Sequence, residues 1–488
     1  MSKSLLKAAY STDNFRTQGH QLIDILADHL DNTLKGNSDK VINWSSPEDE
    51  RAFWTQFLKG GDSSELFNEI INRSIHIHHP NYMGHQISPT VPITALTSVL
   101  SAQLNNGMGV YEMGAAPTAM ERIVTDLLCA EIGYHDNANG FLTSGGTLAN
   151  LTALLSARRK IAKEDVWQKG NLSKLAIMVS EEAHYCVDRA ARIMGLGQEG
   201  IIKVPVDQNF ELKTELLQQY YDDAVEKGIE IFAVVGSAPS TATGIYDPLT
   251  KLSAFAKENG IWFHVDGAHG GAAIFSKKYR SLVKGIQQAD SVVIDGHKMM
   301  MMPSITTALL FKNGQDSHET FMQKADYLLQ ASEEEDWYNL AKRTFECTKY
   351  MMSLHWFTLF KQYGSELFDD FVTVLYDLGH QFADLITKDP DFDLAVSPMS
   401  NIVCFRYVGA IESTEEQNQL NRKIRQQILE EGKYYIVQTK LNNLHYLRVT
   451  FMNPFTTESH MEGLLSAIRS KIKSIQSFKS LNSGSTEI

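Results

Sequence analysis

The stretch Ser291-Val-Val-Ile-Asp-Gly-His297-Lys298-Met-Met-Met-Met-Pro303 organises the interpretation of the whole chain. Its first part, Ser291 to Ile294, is a short apolar run that predicts a buried β-strand. A His-Lys pair follows, at the strand end that faces the ligand crevice in an open α/β sheet. Burial there lowers the preference of a lysine for its proton, so the pattern predicts a nucleophilic amine at Lys298. A lysine that merely caps a strand has the same local sequence, so a second element must decide.

A second apolar run supplies that element, because Ile261 to Val265 ends in Asp266 and is followed by the small residues Gly267 and Ala268. A pyridoxal phosphate site needs an amine that binds the aldehyde and a carboxylate opposite the ring nitrogen. Each group has to come from a different strand end. Asp266 and Lys298 meet this requirement, and together they predict pyridoxal 5'-phosphate as the cofactor.

The segment Phe141 to Thr147 predicts a third strand end, with Ser144-Gly145-Gly146-Thr147 leading into a helix over Leu148 to Ile161. Free backbone amides at a helix start, and the positive end of its dipole, suit a phosphate group. A glycine pair can also form an ordinary tight turn, but its place upstream of Asp266 and Lys298 favours phosphate binding. From Gly140 onward strands and helices alternate, which predicts an α/β fold with a mostly parallel sheet.

Composition limits the partners that the chain can have. The 488 residues are 43% hydrophobic and 21% charged, as in soluble globular proteins. The net charge of -13, without a Lys/Arg-rich run, argues against nucleic acid as a partner. No apolar run approaches membrane-spanning length, and the four cysteines show no paired spacing. These features predict a cytoplasmic protein with a small-molecule substrate, and neither a membrane nor a nucleic-acid partner.

Three further segments leave alternatives open. His76, His78, His79 and His85 lack carboxylate or cysteine partners at ligand spacing, so we predict no metal site there. The glycine-rich loop of residues 105–117, which carries Tyr111, either connects two elements or lines a pocket. The polar segment between Lys312 and Lys342 is either a solvated surface or an active-site lid.

We predict three parts for the chain: an N-terminal helical, dimer-forming segment over residues 1–85, a large cofactor-binding domain over 86–355, and a small α+β domain over 356–488. The first part contains a helix that follows the cap sequence at Ser11, and its apolar residues recur at helical spacing. Such a stripe must be buried, either against its own domain or against a neighbouring subunit.

The chain resembles the group II pyridoxal-phosphate-dependent amino-acid decarboxylases of fold type I along most of its length. This family includes decarboxylases of glutamate, aspartate, cysteine sulfinate, diaminobutyrate and aromatic amino acids. The matching motifs stand in family order at residues 19–24, 79–80, 143–147, 183–184, 266–268, 295–298, 447–448 and 453–454. The resemblance implies an aspartate aminotransferase-like large domain with a mostly parallel seven-stranded sheet, and a homodimer with shared active sites.

The resemblance also implies roles for individual residues. Lys298 would carry the cofactor and exchange it for the substrate amine, and Asp266 would keep the ring nitrogen protonated. His184 would stack on one face of the ring and Ala268 on the other. The phosphate would lie on Gly145, Gly146 and Thr147, with His297 next to the phosphate or to the substrate carboxylate.

Substrate recognition and proton transfer are implied less directly. Arg448 matches a residue that binds the substrate carboxylate, and His85 and Tyr111 lie in the region expected to contact the substrate. Tyr338 is the candidate that returns a proton to the substrate carbon, with Tyr327 as the alternative.

Two positions depart from the family pattern. Many members have Gly-Thr-Thr where this chain has Pro239-Ser240-Thr241, which affects the contact of Ser240 with the phenolic oxygen of the cofactor. Asp295 stands where some members have asparagine. Because its charge would repel a phosphate, we expect it to turn toward backbone amides or toward His297.

The implied reaction is α-decarboxylation of an L-amino acid to an amine and carbon dioxide. Tyr111-Glu112 and the His297-Lys298-Met299-Met300 sequence favour a small acyclic substrate of the glutamate, aspartate, cysteine sulfinate or 2,4-diaminobutyrate type. The alternatives are an aromatic L-amino-acid decarboxylase, an aminotransferase of the same fold, and a protein that binds pyridoxal phosphate without turnover.

Overall fold

The structure is a computed structural model that describes residues 4–321, 337–409, 411 and 413–483. Tyr327, the alternative proton donor, lies outside the described residues. The chain divides into two compact units. One comprises the described parts of Met1–His85, Ile386–Asp393 and Phe405–Ile488, and the other comprises Gln86–Leu385 and Leu394–Cys404. By this criterion the N-terminal segment groups with C-terminal segments, and the functional division into three parts stays a prediction.

Seven strands form the sheet of the larger unit, in the order β1-β7-β6-β5-β4-β2-β3. They are Asn139–Thr143 (β1), Lys174–Ser180 (β2), Ile201–Val204 (β3), Ile229–Ser237 (β4), Trp262–Asp266 (β5), Ser291–Asp295 (β6) and Thr307–Phe311 (β7). Strands β2 to β6 pair in parallel, whereas β7 runs antiparallel to both β1 and β6. The predicted fold class, a mostly parallel seven-stranded α/β sheet, is therefore confirmed.

The carboxyl ends of β1, β2, β4, β5 and β6 lie at one edge of the sheet, because β7 is the single reversed strand among the seven. The strand residues are almost entirely buried, as expected for strands covered on both faces. Polar and small residues begin directly after each of these ends. The topology therefore places the ends of β5 and β6, with Asp266 and Asp295, side by side.

Sixteen α-helices surround the two sheets. They are Ser4–Ala9 (α1), Thr12–Leu34 (α2), Pro47–Gly60 (α3), Leu66–Arg73 (α4), Pro92–Leu104 (α5), Ala115–Ile132 (α6), Gly146–Ile161 (α7), Val166–Lys169 (α8), Tyr185–Ile193 (α9), Leu217–Glu226 (α10), Leu249–Asn259 (α11), Gln315–Thr320 (α12), Ser353–Tyr363 (α13), Glu366–Lys388 (α14), Thr414–Glu431 (α15) and Glu458–Ser483 (α16). The count covers only the part of the chain that the structure describes. No described helix is both long enough and apolar enough to cross a membrane.

Helix α7 packs its small and apolar face against the sheet. Ala149, Ala153 and Leu154 are fully buried and share one hydrophobic cluster with strand residues such as Val179 and Phe311. Alanines let the helix axis approach the sheet closely, so the start of α7 is fixed relative to the strand ends. Loss of the Leu154 side chain would cost about 2–5 kcal/mol in such a core.

The smaller unit holds helices α1 to α4, α15 and α16. Helix α2 begins after Ser11, whose side chain accepts a hydrogen bond from the Asn14 backbone amide, as the cap sequence predicts. Strands Phe392–Leu394 (β8), Ile402–Tyr407 (β9), Val437–Leu441 (β10) and Leu444–Thr450 (β11) form a four-stranded sheet in the order β10-β11-β9-β8. The predicted small domain over residues 356–488 includes this sheet, and its boundaries stay a prediction.

Candidate active site

A cavity of about 300 Å³ lies at the carboxyl edge of the seven-stranded sheet. Eight residues predicted for the site line it together: Gly145, Gly146, Thr147, His184, Asp266, Ala268, His297 and Lys298. Residues from four strand ends thus converge, although they are separated by up to about 150 positions in the sequence. A larger cavity of about 520 Å³ lies along the predicted loop, with Val110 and Met113 in its wall. Its wall includes Lys349 but no carboxylate, and this lysine is paired with the buried Glu121, so the first cavity is the better candidate.

Lys298 follows β6 after the turn at Gly296 and His297, and its Nζ lies 3.1 Å from Asp295 Oδ2. Burial lowers the pKa of Lys298, but the carboxylates of Asp295 and Asp266 outweigh it, so the pKa is raised above its ordinary value. The predicted lowering of this pKa is therefore wrong for the ligand-free chain. The sequence argument counted the desolvation and omitted the two carboxylates that the strand ends bring to the amine.

Asp295 is buried and turns its carboxylate inward. Thr307 Oγ1 donates a hydrogen bond to Oδ1, and Lys298 and His297 Nε2 approach Oδ2, the latter at 3.6 Å. The carboxylate thus faces Lys298 and Thr307 more closely than it faces His297. This carboxylate is the one nearest to Lys298, and it compensates the charge of the ammonium group.

His184 is the cap residue of α9, where its Nδ1 accepts a hydrogen bond from the Cys186 backbone amide at 3.3 Å. Burial lowers the pKa of His184, and the cations of Lys298 and Arg189 add to this effect, although Asp266 and Asp295 oppose it. The ring is therefore neutral at pH 7. His184 is thus a hydrogen-bond acceptor at a helix start and also part of the cavity wall.

Asp266 ends β5 and is mostly buried. Its Oδ1 accepts a hydrogen bond from the Ala268 amide at 3.2 Å, and its Oδ2 lies 4.0 Å from Cys186 Sγ. The Ala268 methyl lines the same cavity. The Ala268 amide therefore holds the carboxylate of Asp266 in the wall of the cavity.

The turn before α7 brings backbone amides into the cavity. Gly145 has a φ of 101°, which favours glycine, and α7 begins at Gly146. A Cβ on Gly146 would lie 3.1 Å from Asp295 Oδ1 and 3.4 Å from the Ala268 methyl. A side chain at position 146 would therefore crowd Asp295 and Ala268 in the cavity wall.

A carboxylate that sequence reasoning missed also holds this turn. Glu346 accepts hydrogen bonds from the Ser144 amide at 3.1 Å and from Ser144 Oγ at 2.7 Å. Thr143 Oγ1 also lies 3.2 Å from the Glu346 carboxylate. Glu346 thus fixes the turn through both Thr143 and Ser144.

Ser240 does not line the cavity among the described residues. It is buried, with its Oγ 2.9 Å from Thr243 Oγ1, whereas the neighbouring Pro239 and Thr241 reach the cavity wall. The cavity wall therefore includes Thr241, one position after the predicted contact residue Ser240.

Tyr111 and Tyr338 are brought together, with ring centroids 5.5 Å apart in an edge-to-face arrangement. The backbone amide of Tyr111 donates to Asn339 Oδ1 at 3.1 Å. Neither tyrosine is among the described residues that line the 300 Å³ cavity.

His85 and Arg448 belong to the smaller unit and are described within it. Arg448 lies on β11 opposite Val437 of β10. Burial lowers the pKa of His85, and the cations of Arg448 and Arg425 lower it further. A neutral imidazole and two guanidinium groups therefore share one region of this unit.

The cavity wall contains other residues that the sequence interpretation did not single out: Asn150, Cys186 and His269. Asn150 follows Gly146 by one helical turn, so helical spacing from a suspected residue was the available signal for it. Cys186 and His269 had no such signal.

The residues of the cavity fit pyridoxal phosphate. An amine and a carboxylate come from adjacent strand ends, a neutral imidazole and a methyl group line the walls, and open amides at a helix start offer donors to a phosphate. The same donor set lacks the features of a metal centre, because the described residues contain no suitable cluster of His, Cys, Asp and Glu.

Comparison with known proteins agrees with this chemistry. A family model described as the pyridoxal-dependent decarboxylase conserved domain matches residues 64–408. The chain is 30% identical over 449 residues to aspartate 1-decarboxylase of Aliivibrio fischeri, covering 83% of this chain and 81% of that protein. It is 26% identical over 467 residues to aromatic-L-amino-acid decarboxylase of Bacillus atrophaeus, covering 94% and 95% of the two proteins.

A solved structure supports the fold. The crystal structure of mouse CSAD matches with a TM-score of 0.85 at 24% identity, covering 94% of this chain and 98% of that chain. Because the family model spans more than half of the sequence, the chain belongs to the pyridoxal-dependent decarboxylase family and is a pyridoxal-phosphate-dependent amino-acid decarboxylase.

Proposed function

We propose that the chain removes the α-carboxylate of a small acyclic L-amino acid, releasing an amine and carbon dioxide. The substrate would be of the glutamate, aspartate, cysteine sulfinate or 2,4-diaminobutyrate type. The observation that carries the cofactor chemistry is the convergence of Lys298 and Asp266 in one cavity at adjacent strand ends, and the match to the pyridoxal-dependent decarboxylase family supports decarboxylation. The similarity to an aspartate decarboxylase supports the acyclic class. The similarity to an aromatic decarboxylase makes an aromatic substrate the second candidate.

Lys298 would bind the cofactor aldehyde covalently and yield it to the substrate amine. Bound pyridoxal phosphate supplies a ring that accepts the electron pair left by departing carbon dioxide. Asp266 would hold a proton on the ring nitrogen. An ion pair at ~4 Å is worth about 4 kcal/mol at an effective dielectric of ~20, which is sufficient for this task.

Other cavity residues would hold the cofactor. The phosphate would lie at the start of α7, on the backbone of Gly145, Gly146 and Thr147, and His297 lies next to Asp295 near this turn. His184 would stack on one face of the ring and Ala268 on the other. We reassign the contact predicted for Ser240 to Thr241, because the Ser240 hydroxyl is engaged with Thr243 while Thr241 lines the cavity.

Three further residues would contact the substrate. Arg448 would bind the substrate carboxylate, and the influence of its cation on the pKa of His85 supports a shared anion-binding region. Tyr111 would contact the substrate side chain. Tyr338, which packs against Tyr111, would return the proton to the substrate carbon.

A homodimer with shared active sites would cover two exposed apolar surfaces. On α5 the side chains of Leu96, Val99 and Leu100 are about half exposed, and the predicted stripe of α2 leaves Phe15 and Ile23 exposed. Contiguous apolar surface of this kind marks interaction sites. The cytoplasmic location stays a prediction; none of the four cysteines forms a disulfide.

The first experiment is reduction of the cofactor-loaded protein with borohydride, followed by peptide mapping. The label should lie on Lys298, and the Lys298→Ala variant should carry none. A label on another lysine, or no label in the unaltered protein, would contradict the proposal.

The second experiment is a panel of L-amino acids assayed for amine and carbon dioxide. Release of both from an acyclic substrate is expected. Release from an aromatic substrate would favour the second candidate, and a keto acid without carbon dioxide would identify an aminotransferase.

A further inference from the structure

A continuous set of buried polar side chains lies behind Asp266. We call it the Asp266 network: Cys186, Asn150, His264, Ser291 and Trp262. Each of these residues is at most 3% exposed, so water does not compete for their hydrogen bonds. Trp262 and His264 lie on β5, Ser291 on β6, Asn150 on α7 and Cys186 on α9. The network therefore joins two strands and two helices next to the cavity.

The hydrogen bonds of the network have one consistent direction. Asn150 Nδ2 donates to the Gly146 carbonyl at 2.9 Å, which fixes the orientation of the amide. Asn150 Oδ1 must then accept, and it lies 2.7 Å from His264 Nε2. His264 therefore carries its proton on Nε2, and its Nδ1 accepts from Ser291 Oγ at 2.8 Å. Ser291 Oγ in turn accepts from Trp262 Nε1 at 2.9 Å.

The other end of the network points at Asp266. Asn150 Nδ2 lies 3.5 Å from Cys186 Sγ, and Cys186 Sγ lies 4.0 Å from Asp266 Oδ2. Since the asparagine donates to the sulfur, the thiol hydrogen is left to point toward the carboxylate. A thiol is a weak hydrogen-bond donor. The direction of its hydrogen is nevertheless fixed by the Asn150 amide, which His264 and the Gly146 carbonyl orient in turn.

The protonation states fit this arrangement. Burial lowers the pKa of His264 to about 4, although Asp266 and Ser291 oppose the shift, so the ring is neutral at pH 7 with a single proton. Burial raises the pKa of the Cys186 thiol well above its usual range, and the nearby Asp266 carboxylate adds to this shift. Cys186 is therefore a thiol that can donate rather than a thiolate that would repel Asp266.

We propose that Asn150, His264 and Cys186 are positioning residues that keep Asp266 ionised, so that the proton of the cofactor ring stays on nitrogen. A hydrogen bond donated to a carboxylate favours its charged form. Without that donor, the carboxylate becomes more basic and takes the proton from the ring nitrogen, which weakens the ring as an electron acceptor. The inference rests on the proposed function, in which Asp266 faces the ring nitrogen. Because Asn150 also binds the Gly146 carbonyl, the same residue ties Asp266 to the turn before α7.

The test compares Cys186→Ala, which removes the donor, with Cys186→Ser, which keeps one. A second pair compares His264→Phe with His264→Gln, since a glutamine amide can still donate to Asn150 Oδ1. We expect the two variants without a donor to lose about tenfold in kcat with little change in KM, as for a weakened hydrogen bond to a charged group. The acid limb of the kcat profile should move to higher pH, and Cys186→Ser and His264→Gln should restore it.

A second readout does not depend on turnover. The pH at which the absorbance of the bound cofactor changes should also move upward in Cys186→Ala. Asp266 faces Cys186, His184 and Lys298, so titration of His184 could also shift the absorbance transition. The His184→Gln variant removes this titration and leaves only the shift caused by Cys186→Ala. The Cys186 pair keeps the test valid if His264→Phe does not fold.

The outcomes separate the two proposals. If Lys298 takes no borohydride label in the unaltered protein, the proposed function fails. If Lys298 is labelled and Asp266→Asn is impaired, but Cys186→Ala retains the acid limb and the absorbance transition of the unaltered protein, the positioning role is refuted.

Discussion

Replacement of Asp295 by asparagine should accelerate the attachment of pyridoxal phosphate to Lys298. An amine attacks an aldehyde only in its neutral form, and the pKa of Lys298 is raised by Asp295 and Asp266 in spite of its burial. At neutral pH the neutral fraction of the amine is therefore small. Below the pKa this fraction grows about tenfold for each unit by which the pH rises. Removal of the nearest negative charge increases this fraction.

The size of the effect follows from the distance between the charges. Lys298 Nζ and Asp295 Oδ2 are 3.1 Å apart, which corresponds to about 5 kcal/mol at an effective dielectric of ~20. The lysine side chain is 21% exposed and Asp266 remains nearby, so we take less than half of this value, about 2 kcal/mol. An energy of about 2 kcal/mol corresponds to a roughly 30-fold larger neutral fraction.

The assay mixes cofactor-free protein with pyridoxal phosphate and follows the absorbance of the Lys298 adduct at a series of pH values. For the unaltered protein the rate should rise steeply with pH. Asp295→Asn should react faster at neutral pH. The rates of the two proteins should converge at high pH, where Lys298 is neutral in both. Asp290→Asn, which alters a partly buried carboxylate just before the opposite end of β6, is the matched control and should leave the profile unchanged.

Convergence at high pH distinguishes the lysine effect from simple relief of repulsion between Asp295 and the phosphate, which would persist there. A rate that does not depend on pH in the unaltered protein, or an Asp295→Asn variant that is slower at neutral pH, would refute the electrostatic account of Lys298.

Three further predictions concern buried charges and protonation. Asp266→Asn should retain the cofactor but lose roughly 10²-fold in kcat, and near-normal turnover would contradict its role. Lys349→Met leaves the charge of Glu121, its buried partner at 2.5 Å, without compensation, so urea unfolding should show a loss of about 3–5 kcal/mol that Glu121→Gln largely reverses in the double variant. The pKa of His264 falls from 6.5 to about 4 on folding, so its stabilising contribution is complete above pH 6.5 and is lost as the pH falls through about 4. As the pH falls from 6.5 to about 4, the thermal midpoint of His264→Gln should fall less than that of the unaltered protein. The same fall in both proteins would argue against a neutral buried imidazole.

The sequence predicted the parts of the site that depend on strand ends. Asp266, Lys298 and the Gly145-Gly146 turn follow apolar runs directly, and parallel strands must bring such ends to one edge. The short edge strand β3 and the reversed strand β7 had no comparable signal. Strand β3 has only four residues, and its pairing with β2 depends on tertiary contacts.

Other features depended on three-dimensional distances that a sequence does not contain. The raised pKa of Lys298 reflects a carboxylate three residues earlier whose direction is set by Thr307 on β7. The sequence also does not show which of two neighbouring residues reaches the cavity: Thr241 lines it, whereas the Ser240 hydroxyl contacts Thr243. Tyr338 packs on Tyr111, and its relation to the substrate stays a prediction.

Glu346 gives the turn before α7 a tether to a distant part of the chain. The carboxylate holds the Ser144 amide, the Ser144 hydroxyl and the Thr143 hydroxyl, and it lies only eight residues after Tyr338. Tyr338 and Glu346 therefore stand on one short segment that contacts Tyr111 through the first residue and the turn before α7 through the second. A change that loosens the Glu346 contacts should be felt both at this turn and at the Tyr111–Tyr338 pair.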